Sequence, residues 1–225
     1  MVKGYKRISV MLLTAVLALS MLSGCGSKKP APEDAQAYVK AVLDLLCTGD
    51  YDHSVKLADV GEDGESSIRD ELTGQIIAGL GDQNGLSEQT KTDFANYMIS
   101  ALEKARYTVG DAEATGDGEY DVTVSIEPLR AFAVIDTEEF DDYLNEKITA
   151  DYDKVTAMSE EEQTNYVVEA MIELLNKSLE DPQYDEPVEV TVHYGKLGDK
   201  GTYGCTEEDG AKLGEQLFST AGLDG

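Results

Sequence analysis

His193 stands in the run VEVTVHYG, with Thr191 two residues before it and Glu189 four before it. On a strand those three side chains share a face. A carboxylate beside an imidazole can make a general base. No nucleophile and no third partner is identifiable around it, so His193 reads as an exposed strand residue. His53, the other histidine, lies in DYDHS near a helix start and reads as a surface residue. Three acid-rich loops, GEDGE (61–65), GDQNG (81–85) and TEEDG (206–210), raise the question of calcium. None has the spaced oxygen ligands closed by a bidentate Glu that a calcium loop needs. Asp141 and Asp142 are neighbours on a helix, point in different directions and form no carboxylate dyad. The chain also lacks G-x-S-x-G, H-E-x-x-H, C-x-x-C and a phosphate-cradling glycine loop. These patterns lead to an expectation of no catalytic residue, no metal and no cofactor. Tyr97, Tyr107, Tyr120, Tyr194 and Tyr203 could line a sugar or peptide cleft. As apolar rings with a polar tip they read first as core.

The residue with the clearest chemistry is Cys25. Lys3, Lys6 and Arg7 precede an apolar run at 10–22, and Ser23 and Gly24 then lead into Cys25. A basic start followed by a short apolar run is a secretory signal, and the run is shorter than the ~20 residues a spanning helix needs. The order Leu22, Ser23, Gly24, Cys25 resembles a bacterial lipobox, in which the thiol is diacylglycerated and the peptide is cut just before it. Two acyl chains anchor stably where one is marginal. The expected organisation is a signal peptide at 1–24, a lipidated Cys25 with a flexible tether at 25–32, and one folded domain at 33–223. Lys28 and Lys29 in the tether would lie near anionic headgroups.

Removing residues 1–24 takes away three basic side chains and no acid, so the formal charge moves from −27 to −30. Such a surface does not neutralise a phosphate backbone, which excludes nucleic acid as a partner. The charge keeps an exposed surface soluble and self-repelling. A cation-responsive role is its sharper alternative.

The elements that must carry these residues follow from periodicity. Apolar positions at helical spacing predict a helix over 33–48, stopped by Gly49, and a short helix resuming in GDYDHSVKLA. Ser66 or Ser67 is expected to cap a helix running to Leu80, and Ser87 the helix that carries Phe94, Tyr97, Met98 and Leu102. The period then shortens to two. RYTVGDAEATG and EYDVTVSIEP read as a hairpin closed at Gly116, Asp117 and Gly118. Their expected pairing sets 107–114 against 120–127. Helices return at Thr137 and at the capping box Ser159 to Glu162. Residues 188–194 form a third strand, KLGDKG its turn, and 202–205 a fourth strand paired to it. Thr206 caps a last helix with Leu213, Leu217 and Phe218. The fold class is α+β, with helices packed on one face of a curved antiparallel sheet of about four strands. The polar alternation on the middle strands leaves the other face wet or facing a cavity.

Several of these segments share a pattern. Tyr107 and Val109, then Val122, Val124, Pro128, Leu129 and Phe132, then Pro182, Tyr184, Pro187, Val188, Val190 and Val192, and finally Tyr203, make up that pattern. It resembles a group of extracellular lipoproteins of Gram-positive bacteria to which no activity is assigned. The chain departs from that group at Gly204 and Cys205, where some members carry a Trp. The resemblance implies a cystatin-like, nuclear-transport-factor-like cone and an address on the outer face of the cytoplasmic membrane, and it carries over no site residue. The function expected is a membrane-tethered binding or interaction module, its partner an envelope protein or a small ligand. The alternatives are the cation-responsive protein or an enzyme using the pocket of the cone. With Cys25 lipidated, Cys47 and Cys205 are the two remaining thiols in an oxidising compartment, a candidate disulfide. The alternative is two buried, unpaired cysteines filling apolar space.

Overall fold

A computed structural model of the chain describes residues 29–52, 55, 57, 64–81, 85–197 and 202–220. The first helix, α1 (Pro32–Thr48), opens with Pro32 at its first position and Glu33 and Asp34 in its first turn. The Asp34 carboxylate accepts from the Ala31 amide at 2.8 Å. Acids there meet the positive end of the helix dipole. Gly49 ends the helix with φ +77°, a conformation that favours glycine, and a Cβ at that position would lie 2.4 Å from Arg69 Nε. α2 (Gly64–Leu80) starts before Ser66 and Ser67, so neither serine is its cap. The expected helix over GDYDHSVKLA is not seen at Tyr51, Asp52, Val55 or Leu57, and its remaining residues lie outside the described ones. α3 (Glu88–Leu102) is capped by Ser87, whose hydroxyl accepts from the Thr90 amide.

The sheet is four-stranded and antiparallel, in the order β1 (Arg106–Gly116), β2 (Glu119–Glu127), β3 (Val188–Leu197), β4 (Thr202–Cys205). Asp117 and Gly118 close the β1–β2 hairpin, Gly118 at φ +82°. Tyr107 pairs with Ile126 and Ala114 with Tyr120, as the alternation predicts. Between Val109 and Ala112 the register shifts, so that Gly110 and Asp111 oppose Thr123 alone. This bulge keeps Tyr107, Val109 and Ala112 on the core side although the numbering changes parity. Val122, Val124 and Ile126 are fully buried against the helices, and Asp121, Thr123 and Ser125 point to the wetter face.

β3 is longer than its alternation suggests. Val188 to Tyr194 pairs with β2, and the ladder to β4 runs from Tyr194 opposite Cys205 to Leu197 opposite Thr202. Only Tyr194 of the expected 188–194 segment therefore faces β4. The first two residues of KLGDKG belong to the strand rather than to a turn.

Between β2 and β3 stand a short 3-10 turn (Ala133–Asp136), α4 (Glu138–Ala150), α5 (Tyr152–Ala157) and α6 (Glu160–Ser178). Ser159 and Glu162 form the capping box at the start of α6. α7 (Glu207–Leu217) follows β4 and is capped by Thr206. Three segments meet just beyond β2: the Leu129 amide donates to Leu217 O at 2.9 Å, Ser219 N to Leu129 O at 2.8 Å, Arg130 N to Gln183 O and Asp185 N to Pro128 O at 2.9 Å. Pro128 and Leu129 of the sequence pattern thus take part in this backbone clasp, and Tyr184 forms a β-bridge with Leu129. Helices and sheet share a continuous apolar core centred on Phe94, Tyr97, Phe132, Ile126 and Leu175.

Candidate functional site

His193 acquires its carboxylate from the neighbouring strand. Asp121 lies directly opposite it on β2, and Nδ1 and Oδ1 are 2.9 Å apart. Glu189 and Thr191, its expected neighbours, lie further along the same face of β3. The two polar alternations carried the signal, but only the register joined them. Gly195 leaves room for the ring, since a Cβ there would sit 2.9 Å from His193 Nε2. An imidazole oriented by a carboxylate can accept a proton. No side-chain hydroxyl, thiol or amine hydrogen-bonds Nε2 among the described residues, and both partners are nearly half exposed. His53 lies outside the described residues.

The acid-rich loops divide likewise. In GEDGE, residues 61–63 lie outside the described ones, as do 82–84 of GDQNG. In TEEDG the acids open α7. Thr206 Oγ1 accepts from the Asp209 amide at 3.2 Å and donates to its carboxylate at 2.6 Å. That is helix capping. Among the described residues no group of three or more His, Cys, Asp or Glu is placed to hold a metal ion.

Tyr97, Tyr107 and Tyr120 are held by their hydroxyls, Tyr194 and Tyr203 by ring contacts. Tyr97 is buried and donates to Ala131 O at 2.7 Å. Tyr120 donates to Pro30 O at 2.9 Å. Tyr194 packs on Tyr38 at 5.1 Å between ring centres and stacks on Tyr203 at 6.3 Å. Tyr107 is half-buried and donates to Asp44 at 2.8 Å. Its hydroxyl is held well above the usual tyrosine pKa by burial first, then by Cys47 and Asp44.

Tyr107 borders a recess. A groove of about 850 Å³ runs between α1 and β1, lined by Gln36, Lys40, Asp44, Arg106, Tyr107 and Glu127 among others. It lies along the edge of the sheet, since β1 has a partner strand on one side only. A recess of about 530 Å³ opens beside the clasp, where Arg130, Thr137, Lys177 and Asp181 meet apolar Leu129, Val134 and Pro182. Both recesses offer hydrogen-bonding groups of both signs, suited to orienting a polar ligand or an extended peptide. Neither was visible in the sequence, because its walls come from segments up to 94 residues apart, from Glu33 to Glu127.

Cys47 and Cys205, the candidate disulfide pair, are both buried and stand as free thiols in this structure. Cys205 lies against Tyr38 on α1, and Cys47, near the end of that helix, lies beside Asp44 and Arg69. Cys25 lies outside the described residues. Among the described residues no helix is long and apolar enough to cross a membrane.

Neither a family model nor a curated protein matches the chain by sequence. By structure, it is similar to ycdA of Bacillus subtilis, a candidate lipoprotein, at 18% identity and a TM-score of 0.55. The likeness covers 83% of this chain and 56% of ycdA, so the chain spans little more than half the length of that protein. At this identity the likeness shows a shared fold of helices on an antiparallel sheet.

Proposed function

We propose that the chain is an extracytoplasmic lipoprotein, held to the outer face of the cytoplasmic membrane by a diacylglyceryl group on Cys25. Its folded part is a binding or interaction module rather than an enzyme. The observation that carries this reading is the ordered sequence of basic start, short apolar run, Leu22, Ser23, Gly24 and Cys25, followed within a few residues by a folded domain. The similarity to ycdA supports it. The recesses at α1–β1 and at the clasp provide concave, polar surfaces for a ligand or envelope partner. His193 and Asp121, the best-placed acid–base pair among the described residues, have no reactive neighbour.

Expression of the full chain in a Gram-positive host with labelled palmitate tests the anchor. Label should enter the wild type and be absent from Cys25→Ala, which should be released to the medium or left unprocessed. Intact mass showing an unmodified N-terminus at another residue would overturn the assignment. Cross-linking of the lipidated protein in its own envelope tests the module. Substitutions in the α1–β1 groove, such as Gln36→Ala with Lys40→Ala, should remove a captured species. Capture unaffected by these and by Arg130→Ala would show that neither recess is the binding surface.

A further inference from the structure

We propose that the anchored domain stands end-on, with the β1–β2 hairpin tip toward the bilayer and the Arg130–Lys177–Asp181 recess at its outward end. The proposal rests on lipidation at Cys25 and adds an orientation to it. The tether is shorter than its composition suggests, because the fold takes hold of it early. Lys29 pairs with Asp117 at the hairpin tip. Pro30 is buried, and its carbonyl accepts from Tyr120 at 2.9 Å. The Ala31 amide is held by Asp34 at 2.8 Å. A Cβ on Gly118 would lie 3.4 Å from Lys29 Cγ and 3.3 Å from Tyr203, so the chain runs directly against the turn. The exposed ion pair is weak and screened by salt. The buried Tyr120 bond and the burial of Pro30 provide the durable part of the hold.

Four residue steps separate Cys25 from Lys29, a reach of at most ~14 Å. β1 has eleven residues and therefore extends ~33 Å from the tip to Arg106. Arg106 stacks on Tyr184, whose hydroxyl binds Lys104 O, and β2 leads from the same end into Leu129 and Arg130. The acyl chains can thus draw only the tip end to the headgroups. The remainder of the domain carries a large excess of acid, and anionic lipid repels it, which disfavours lying flat. The one large apolar side chain exposed among the described residues is Tyr152, on α5. The described residues of the tip are polar or buried, so the tip abuts the headgroups rather than inserting.

The test uses the mature chain, residues 25–225, coupled through Cys25 to a maleimide phospholipid in vesicles of phosphatidylglycerol and phosphatidylcholine. Cys47 and Cys205 are buried and remain unlabelled. A fluorescent unnatural amino acid is placed either at Thr115, near the tip, or at Glu186, at the far end, both exposed. Energy transfer to a headgroup-labelled lipid should be several-fold greater from position 115 than from 186. Inserting eight Gly/Ser residues after Ser27 leaves the fold untouched and should abolish most of that difference. Tyr120→Phe with Asp117→Asn, which removes both holds on residues 29–30 without adding a cation to the tip, should reduce it. Equal transfer from both positions, or a difference that survives the spacer, would overturn the orientation. Because the coupling is chemical, this outcome is independent of acylation in cells, which the palmitate experiment decides separately.

Discussion

Burial determines the chemistry of Cys47 and Cys205. It pushes both thiols up to about 12, with Asp44 adding to the effect at Cys47 against Arg69, and Asp209 adding to it at Cys205. In the unfolded chain a thiol loses its proton near its ordinary value of ~8.5. Between that value and about 12 the folded state holds more protons than the unfolded one, so stability falls as pH rises. The slope is up to ~1.4 kcal/mol per pH unit for each thiol, and Tyr194, also raised by burial, acts in the same direction at higher pH. Urea midpoints should be level from about pH 6 to 8 and drop above ~9, more steeply than in a Cys47→Ala, Cys205→Ala variant. Parallel slopes in the two proteins would remove the thiols from the explanation. Both cysteines should also resist a thiol probe in the folded protein and react after unfolding without reductant.

At the scale of elements, the start of α3 depends on α6. Asn165 Oδ1 accepts from the Ser87 amide and from Thr90 Oγ1, each at 2.7 Å, while its Nδ2 donates to Gly85 O at 2.9 Å and to Glu161 O at 2.8 Å. One side chain thus fixes the turn that leads into a helix whose own cap is Ser87. Ser87→Ala should cost ~1 kcal/mol, the ordinary loss of a cap. Asn165→Ala removes four hydrogen bonds, three of them at exposed groups that water can take over, and should cost about 2 kcal/mol. It should also raise amide exchange at 85–87 in particular. Equal losses for the two variants would mean that the turn is held by its own cap alone. The capping box of α6 is a second local device: the Ser159 amide and hydroxyl hold the Glu162 carboxyl below its usual range.

For the molecule as a whole, the formal charge of −27 dominates. Self-repulsion of that size opposes the compact state and is screened by salt. Raising NaCl from about 10 mM to 500 mM should lift the melting temperature by ~2–4 °C, which is about 1 kcal/mol in a domain of this size. A fall would show that the local ion pairs, such as Lys147 with Glu173 and Arg69 with Glu103, outweigh the net repulsion.

Local patterns were legible in the sequence wherever one residue's environment follows from its near neighbours. The caps at Ser87, Ser159 and Thr206, the Asp117–Gly118 turn and the buried row Val122, Val124, Ile126 all follow from spacing, because capping and strand alternation act over two to four residues. What needed the tertiary structure was every relation between distant segments. The bulge at Gly110 and Asp111 shifts the parity of β1, so its inward face cannot be read from alternation alone. Asp121 meets His193, and Asn165 meets Ser87, only through strand register and helix packing. Cys47 on α1 and Cys205 on β4 acquire different neighbours, Asp44 and Arg69 for the first and Tyr38 and Asp209 for the second, which no count of residues between them reveals. The recesses and the hold on Pro30 likewise arise when the chain closes on itself, since the free energy of packing depends on which surfaces meet rather than on their order.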